Sequence, residues 1–184
     1  MNQADDHTLA RQAQAGNRRA FAVLVERHYG LMFRVAWKWC GMKDQAEDIA
    51  QEAAIKLARH IDAFRFESAF TTWLYRLVLN TARGHAKARQ RHAHREQPLH
   101  EDGVYVSNAP SPEQQLAHKD VVKALARLPE ALRETVLLVC WQGLSHREAG
   151  AVLECSEGTV SWRIHEARKQ LAGVLDGSGE VRHG

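Results

Sequence analysis

At 184 residues the chain has room for one medium domain or two small ones, and its 45% apolar content is that of a globular protein. A net charge of +3 excludes a general polycation, and three widely spaced cysteines without a CxxC pair exclude a disulfide framework and a structural zinc site. The opening MNQADDHTLARQ is polar and no apolar run approaches bilayer length, so the expectation is a soluble, cytoplasmic, reduced protein without membrane insertion.

The charge is distributed in blocks. Asp44, Glu47, Asp48 and Glu52 occur without an intervening base, whereas Arg83, Lys87, Arg89, Arg91 and Arg95 occur without an acid. Opposite blocks in one small chain point to two different partner surfaces.

Phe21, Leu24, Val25, Tyr29 and Met32 recur at three- and four-residue steps, and Val35, Ala36 and Trp39 continue them up to Gly41. Asp44, with Glu47 three residues on, reads as the capping start of the next helix. Ile49, Ala53, Leu57 and Ile61 form its inner stripe. Asp48, Gln51, Glu52 and Ile55 fall on another face, which is either a solvated surface or a docking patch. A break rich in aromatics follows, DAFRFESAFTTWLYR. The helix after it turns Leu74, Leu77, Val78 and Thr81 inward. Trp73, Arg76, Asn80, Arg83 and Lys87 follow one another at steps of three, four, three and four, which places them in one row on the opposite side. A tryptophan, an asparagine and three cations in a row suit a nucleic-acid strand. Phe64, Phe66 and Phe70 just upstream are either core or a stacking platform for unpaired bases.

Residues 93–117 hold three of the four prolines and the Glu101-Asp102-Gly103 turn signal, the composition of a linker. Helical pattern resumes with Val121, Val122, Leu125 and Leu128, and restarts after Pro129 with Leu132, Val136, Leu137 and Cys140. GLSHREAGAVLECSEGTVSWRIHEARKQL, Gly143 to Leu171, then holds two short helical patterns. Ser145 with Glu148 caps the first, over Ala149, Val152 and Leu153. Ser156 caps the second, over Val160, Ile164, Ala167 and Leu171. Two capped helices around a tight turn are the pattern of a helix-turn-helix, or of an ordinary helical hairpin. Gly150 in mid-helix costs about 1 kcal/mol relative to Ala, understandable where the second helix crosses close by. Glu157, Thr159, Ser161, Trp162, Arg163, His165, Arg168 and Lys169 are the candidate partner-facing residues of the second helix. Arg163 is placed to read a base edge, and Arg168 and Lys169 to meet phosphates. Trp162 lies two positions, about 200°, from inward Val160 and should be exposed. The expected fold is all-α: a helical domain over 1–92, a linker over 93–117, and a helix-turn-helix domain over 118–184.

Four stretches in this order resemble the extracytoplasmic-function (ECF) group of the sigma-70 superfamily of bacterial RNA polymerase sigma factors. AEDIAQEAAIKL (Ala46 to Leu57) is similar to the segment that docks on polymerase. IDAFRFESAFTTWLYRLVLNTARGH (Ile61 to His85) resembles the segment that melts and reads the −10 element. LPEALRETVLL (Leu128 to Leu138) and the Gly143–Leu171 stretch resemble the −35-reading domain. The resemblance covers nearly the whole chain. It implies core polymerase bound through Asp48, Gln51, Glu52 and Ile55, and single-stranded −10 DNA bound through the Phe64–Lys87 set. It also implies double-stranded −35 DNA bound by the second helix, an anti-sigma partner, no catalysis and no cofactor. Within that second helix, Ser161 and Trp162 precede Arg163 where a basic and a small residue are common in the family, and Glu166 stands where a base is frequent. Two other readings compete. A stand-alone helix-turn-helix regulator leaves the Trp73–Lys87 row without a role. A metal site at His85, His92, His94 and His100 lacks a matched carboxylate or cysteine.

Overall fold

The computed structural model describes residues 4–93, 124–125 and 127–176. Among them all regular structure is helical. The chain divides into two compact units, Met1–Val104 and Tyr105–Gly184. The 93–117 linker of the sequence reading lies almost wholly outside the described residues, as do Arg95, His94, His100, Val121 and Val122.

The first unit contains α1 (Asp6–Gln14), α2 (Arg18–Cys40), α3 (Lys43–His60), a 3-10 turn at Ile61–Ala63 and α4 (Phe70–Ala93). α2 is the central element, packed against α1, α3 and α4. Leu24, Met32 and Val35 of α2 meet Ile49, Ala53 and Leu57 of α3 and Leu74, Val78 and Leu79 of α4 in a core closed to solvent. Each of these side chains larger than Ala53 contributes about 1.5–3 kcal/mol by leaving water. The Asn17 side chain caps α2 through the Arg19 and Ala20 amides, and Gly41, at φ 75°, ends it in the left-handed region that glycine enters without strain.

Two readings need correction here. α3 starts at Lys43 with Met42 as its uncapped N-cap, so Asp44 sits inside the first turn and no Asp44–Glu47 box forms. The connection from Cys40 to Lys43 is only Gly41 and Met42, and Asp44, inside the first turn, acts on the helix dipole. Leu77 is half-buried rather than inward. The polar N-terminus forms α1, which had no apolar stripe to announce it. Asp5 caps it by accepting from the Thr8 amide at 2.7 Å. Asp6 then ties it to α2, with Oδ1 2.6 Å from Arg27 Nη1 and Oδ2 2.9 Å from the buried His28 Nε2.

The second unit contains α5 (Glu130–Val136), which runs into a π-helical stretch at Leu137–Trp141, then α6 (His146–Leu153) and α7 (Glu157–Asp176). Leu125, Leu128, Leu132 and Ala167 form its core, with Val136, Trp141 and Leu171 packed against it. The π stretch explains a misplaced residue. Its i to i+5 bond, Gln142 N–H to Leu137 O at 3.1 Å, widens the turn and shifts the phase. Leu137 and Leu138 are buried and Cys140 is exposed, against the expectation that Cys140 faces inward. Gly150 is needed for closeness, but the neighbour is the turn and not the second helix. A Cβ there would lie 2.7 Å from the carbonyl oxygen of Cys155.

Candidate polymerase and nucleic-acid interfaces

The four candidate residues of α3 share its outer side. Asp48, Gln51 and Ile55 are exposed, Ile55 at 52%, while Ile49, Ala53 and Leu57 hold the opposite side in the core. Glu52 is half-buried, and two side chains of its own unit approach it: Lys56 Nζ at 2.7 Å and His85 Nε2 from α4. The hydrogen bond from Lys56 holds the Glu52 carboxyl below the usual range; partial burial opposes it and His85 adds to it.

The aromatic stretch divides into core and rim. Phe64 and Phe70 are buried, at 3% and 1% exposure, and their rings meet edge-on at 5.4 Å. Phe70 is therefore removed from the set a strand can stack on, and Phe64 remains only as a wall. Phe66 is half-buried at the rim of the cluster, its ring centroid 4.7 Å from that of Phe64, with a left-handed backbone at φ 62°. A cavity of about 470 Å³ opens beside the loop, lined by Ala63, Phe64, Arg65, Glu67, Ser68, Trp73 and Arg76. The row on α4 continues outward from it: Trp73, Arg76 and Arg83 half-buried, Asn80 and Lys87 exposed. Asn80 Oδ1 accepts from Arg83 Nη1 at 3.1 Å, so two members of the row are pre-aligned. Arg65 escaped the sequence reading; as the cation between Phe64 and Phe66 it carried a signal.

In the second unit the caps form as the sequence indicates. Ser145 Oγ accepts from the Glu148 amide at 3.2 Å, and the Glu148 carboxylate accepts from the Ser145 amide at 2.8 Å. The Ser145 hydroxyl, donating to the Glu148 carboxylate at 2.6 Å, and then the Ser145 amide hold that carboxyl below its usual range. Glu154 makes the turn in the left-handed region at φ 55°, and Ser156 Oγ accepts from the Thr159 amide at 3.1 Å. On α7, Val160, Ile164 and Ala167 are buried, and Glu157, Ser161, Trp162, His165, Arg168 and Lys169 are exposed. Trp162, at 60%, is the most exposed of the large apolar side chains among the described residues. Ser161 Oγ donates to Glu157 O at 3.1 Å, leaving its lone pair to accept from His146 Nδ1 at 2.8 Å, so the outer sides of α6 and α7 are linked.

Two candidates of α7 are placed otherwise than expected. Arg163 lies about 200° from Ser161 around the helix. It is half-buried, with Nη1 3.6 Å from Cys155 Sγ. It packs on the turn and not on the exposed face, because it neighbours the buried stripe. Thr159 is half-buried, its hydroxyl 2.8 Å from that of Ser156. Among the described residues no group of three or more His, Cys, Asp or Glu is arranged to hold a metal ion, and no helix is long and apolar enough to cross a membrane.

A helical bundle with a basic, cavity-bearing flank, followed by a capped helix-turn-helix with a cationic second helix, defines a two-unit helical transcription factor. The chain matches the Sigma-70 region 2 family over residues 24–92 and the Sigma-70 region 4 family over residues 118–171. It is 33% identical to the RNA polymerase sigma-H factor of Pseudomonas aeruginosa, covering 95% of this chain and 96% of that protein. It is 32% identical to the ECF RNA polymerase sigma-E factor of Haemophilus influenzae, covering 92% of this chain and 94% of that one. The solved structure of CnrH in complex with the cytosolic domain of CnrY superposes with a TM-score of 0.68 at 30% identity, over 94% of this chain and 97% of CnrH. The chain belongs to the sigma-70 family as an ECF-type RNA polymerase sigma factor, a transcription initiation factor.

Proposed function

We propose that this sigma factor divides its work among three surfaces. Asp48, Gln51, Glu52 and Ile55 of α3 dock on core RNA polymerase. Phe66, Trp73, Arg76, Asn80, Arg83 and Lys87, with the Phe64 wall, receive the single-stranded −10 element. Ser161, Trp162, His165, Arg168 and Lys169 of α7 lie in the major groove of the double-stranded −35 element, with Glu157 at the helix start. No catalysis and no cofactor belong to this role, and the protein acts in the cytoplasm on genes of a stress or envelope response.

The cavity beside Trp73 and Arg76 is the observation that carries the reading. Its volume exceeds that of a nucleobase, its walls mix aromatic and cationic side chains, and the α4 row leads a phosphate backbone away from it. Base–aromatic stacking of about 1–3 kcal/mol per base supplies energy to hold a base outside the duplex. An anti-sigma protein fits the same surfaces. CnrH is bound to the cytosolic domain of another protein, and exposed Ile55 and Trp162 are anchors such an inhibitor would bury here. Run-off transcription with purified core polymerase and a promoter library tests the reading. Selective initiation from promoters sharing a −35 and a −10 element is expected, and the same products with and without the chain would refute it.

A further inference from the structure

The aromatic loop is held from far away in sequence. His7, Arg11 and Gln14 follow one another at steps of four and three, which places them on one face of α1. Gln14 Nε2 donates to the carbonyl oxygens of Ile61 and Phe64, at 2.8 and 2.9 Å. His7 Nε2 donates to the Ser68 carbonyl oxygen at 3.1 Å. The His7 ring meets Phe64 and Phe66 edge-on, both at 5.6 Å, and the Arg11 guanidinium lies over the Phe66 ring at 5.0 Å. The loop is thus tied at its start, its middle and its end. The Ile61 oxygen also accepts from the Phe64 amide at 3.1 Å, so α1 adds a second bond there and donates to the Phe64 and Ser68 oxygens besides. Phe66 keeps a left-handed backbone that a bulky residue avoids unless its surroundings impose it. The α1 ties, with Arg11 capping the ring, are those surroundings.

We infer that His7, Arg11 and Gln14 are positioning residues for strand opening. They hold the 61–68 loop in the shape that keeps the cavity beside Trp73 and Arg76 open to an extruded base. This rests on the base-capturing role proposed above. The bundle core does not include these three side chains: Arg11 is exposed and His7 and Gln14 are half-buried. Their loss therefore acts on the loop before it acts on the fold.

Holoenzyme reconstituted from full-length variants, on a promoter carrying 2-aminopurine at successive −10 positions, reports base extrusion directly. His7→Leu and Gln14→Leu are expected to lower extrusion by about five- to a hundredfold, the weight of one lost base–aromatic stack. They should also flatten base preference at the captured position while core polymerase binding stays at the wild-type level. His7→Gln, which keeps an amide donor at the reach of Nε2, is expected to restore both. Wild-type extrusion and preference in the two leucine variants overturn the inference. A His7→Gln variant no better than His7→Leu overturns it too, because ring packing and not the donor then matters. Where a leucine variant fails to fold, Arg11→Ala carries the test from an exposed site: a flattened preference supports the inference and an unchanged one overturns it. Absence of any extruded base with the wild-type chain is a different result, since it refutes the base-capturing role itself.

Discussion

The two units build the surfaces proposed to face DNA by opposite routes. In the first, the loop that shapes the cavity is held by contacts spanning 47, 50 and 61 residues of chain. In the second, the exposed face of α7 is set by bonds spanning 3, 4 and 15 residues, from Ser156 to Thr159, Glu157 to Ser161 and His146 to Ser161. A surface built on distant contacts exists only once the whole bundle has closed. A surface built on local ones follows from two capped helices and a turn. The first route suits a loop that must hold one strained shape, and the second a rigid helix offered to a groove.

The largest expected effect tests the division of the aromatic stretch. Phe70→Ala removes a ring at 1% exposure and should cost about 3–5 kcal/mol of stability. Phe66→Ala removes a half-buried ring and should cost far less stability, while losing about 1–3 kcal/mol of strand capture. Urea unfolding set beside binding of a single-stranded −10 oligonucleotide by the holoenzyme separates the two. Equal stability losses would erase the distinction between core and rim.

Next in size are the glycines. Gly150→Ala sets a methyl 2.7 Å from the Cys155 carbonyl, a backbone atom that cannot turn aside, and should destabilise the second unit by about 1–3 kcal/mol. Gly84→Ala, inside α4 with nothing within 4 Å of the new carbon, should instead stabilise the first unit by about 0.5–1 kcal/mol. Residue-resolved hydrogen exchange assigns each change to its unit. A neutral Gly150→Ala would show that the turn of the helix-turn-helix has room to move.

The same contrast explains what the sequence discloses. Ser145 with Glu148, Ser156 before Val160, and the 200° between Val160 and Trp162 are short-range facts, and all three are found in place. The inner stripes of α3 and, Leu77 apart, of α4 are equally plain because apolar periodicity reports burial against any partner. Much of what failed depended on distance or on a change of helical pitch. His7 and Gln14 are polar residues in a polar segment, and nothing nearby says that their acceptors lie near residues 61–68. Phe64 and Phe66 are two apart in one run, yet one is core and one is rim, because Phe66 itself takes a left-handed backbone. The π stretch moves Cys140 outward by a shift that counting in steps of three and four cannot register. Arg163 belongs to the exposed face by type but not by angle.

A third test concerns α7. Trp162 is 60% exposed with little packing to lose, so Trp162→Ala should change stability by less than about 0.5 kcal/mol. Reduced −35 selectivity with purified components would make it a base-contacting residue, and reduced affinity for an inhibitor alone would make it a protein anchor. Lys169→Ala should weaken binding to all sequences alike and lower the salt slope by about one. Arg163→Ala, given its contact with Cys155, should now leave base preference nearly unchanged. A preference lost at one base position would mean that Arg163 swings away from the turn when α7 meets DNA.

The smallest effect compares two carboxylates with lowered affinity for protons. Glu148 owes its shift to the cap three residues away, and Glu52 owes its own to Lys56 four residues away and to His85 on another helix. A depressed folded value means that the stabilising contribution of Glu52 is present above the ordinary glutamate range and is lost as pH falls through the folded value. The group is largely solvated, so the contribution is screened and should not exceed about 1 kcal/mol. Glu52→Gln is therefore expected to lower stability slightly at neutral pH and not at all in acid below that folded value, read by urea unfolding at both. If Glu52 also docks on polymerase, the same variant weakens core binding well beyond its effect on the fold. A stability loss that persists in acid would assign the Glu52–His85 contact to packing rather than charge. Unchanged core binding would reduce the polymerase face to Asp48, Gln51 and Ile55.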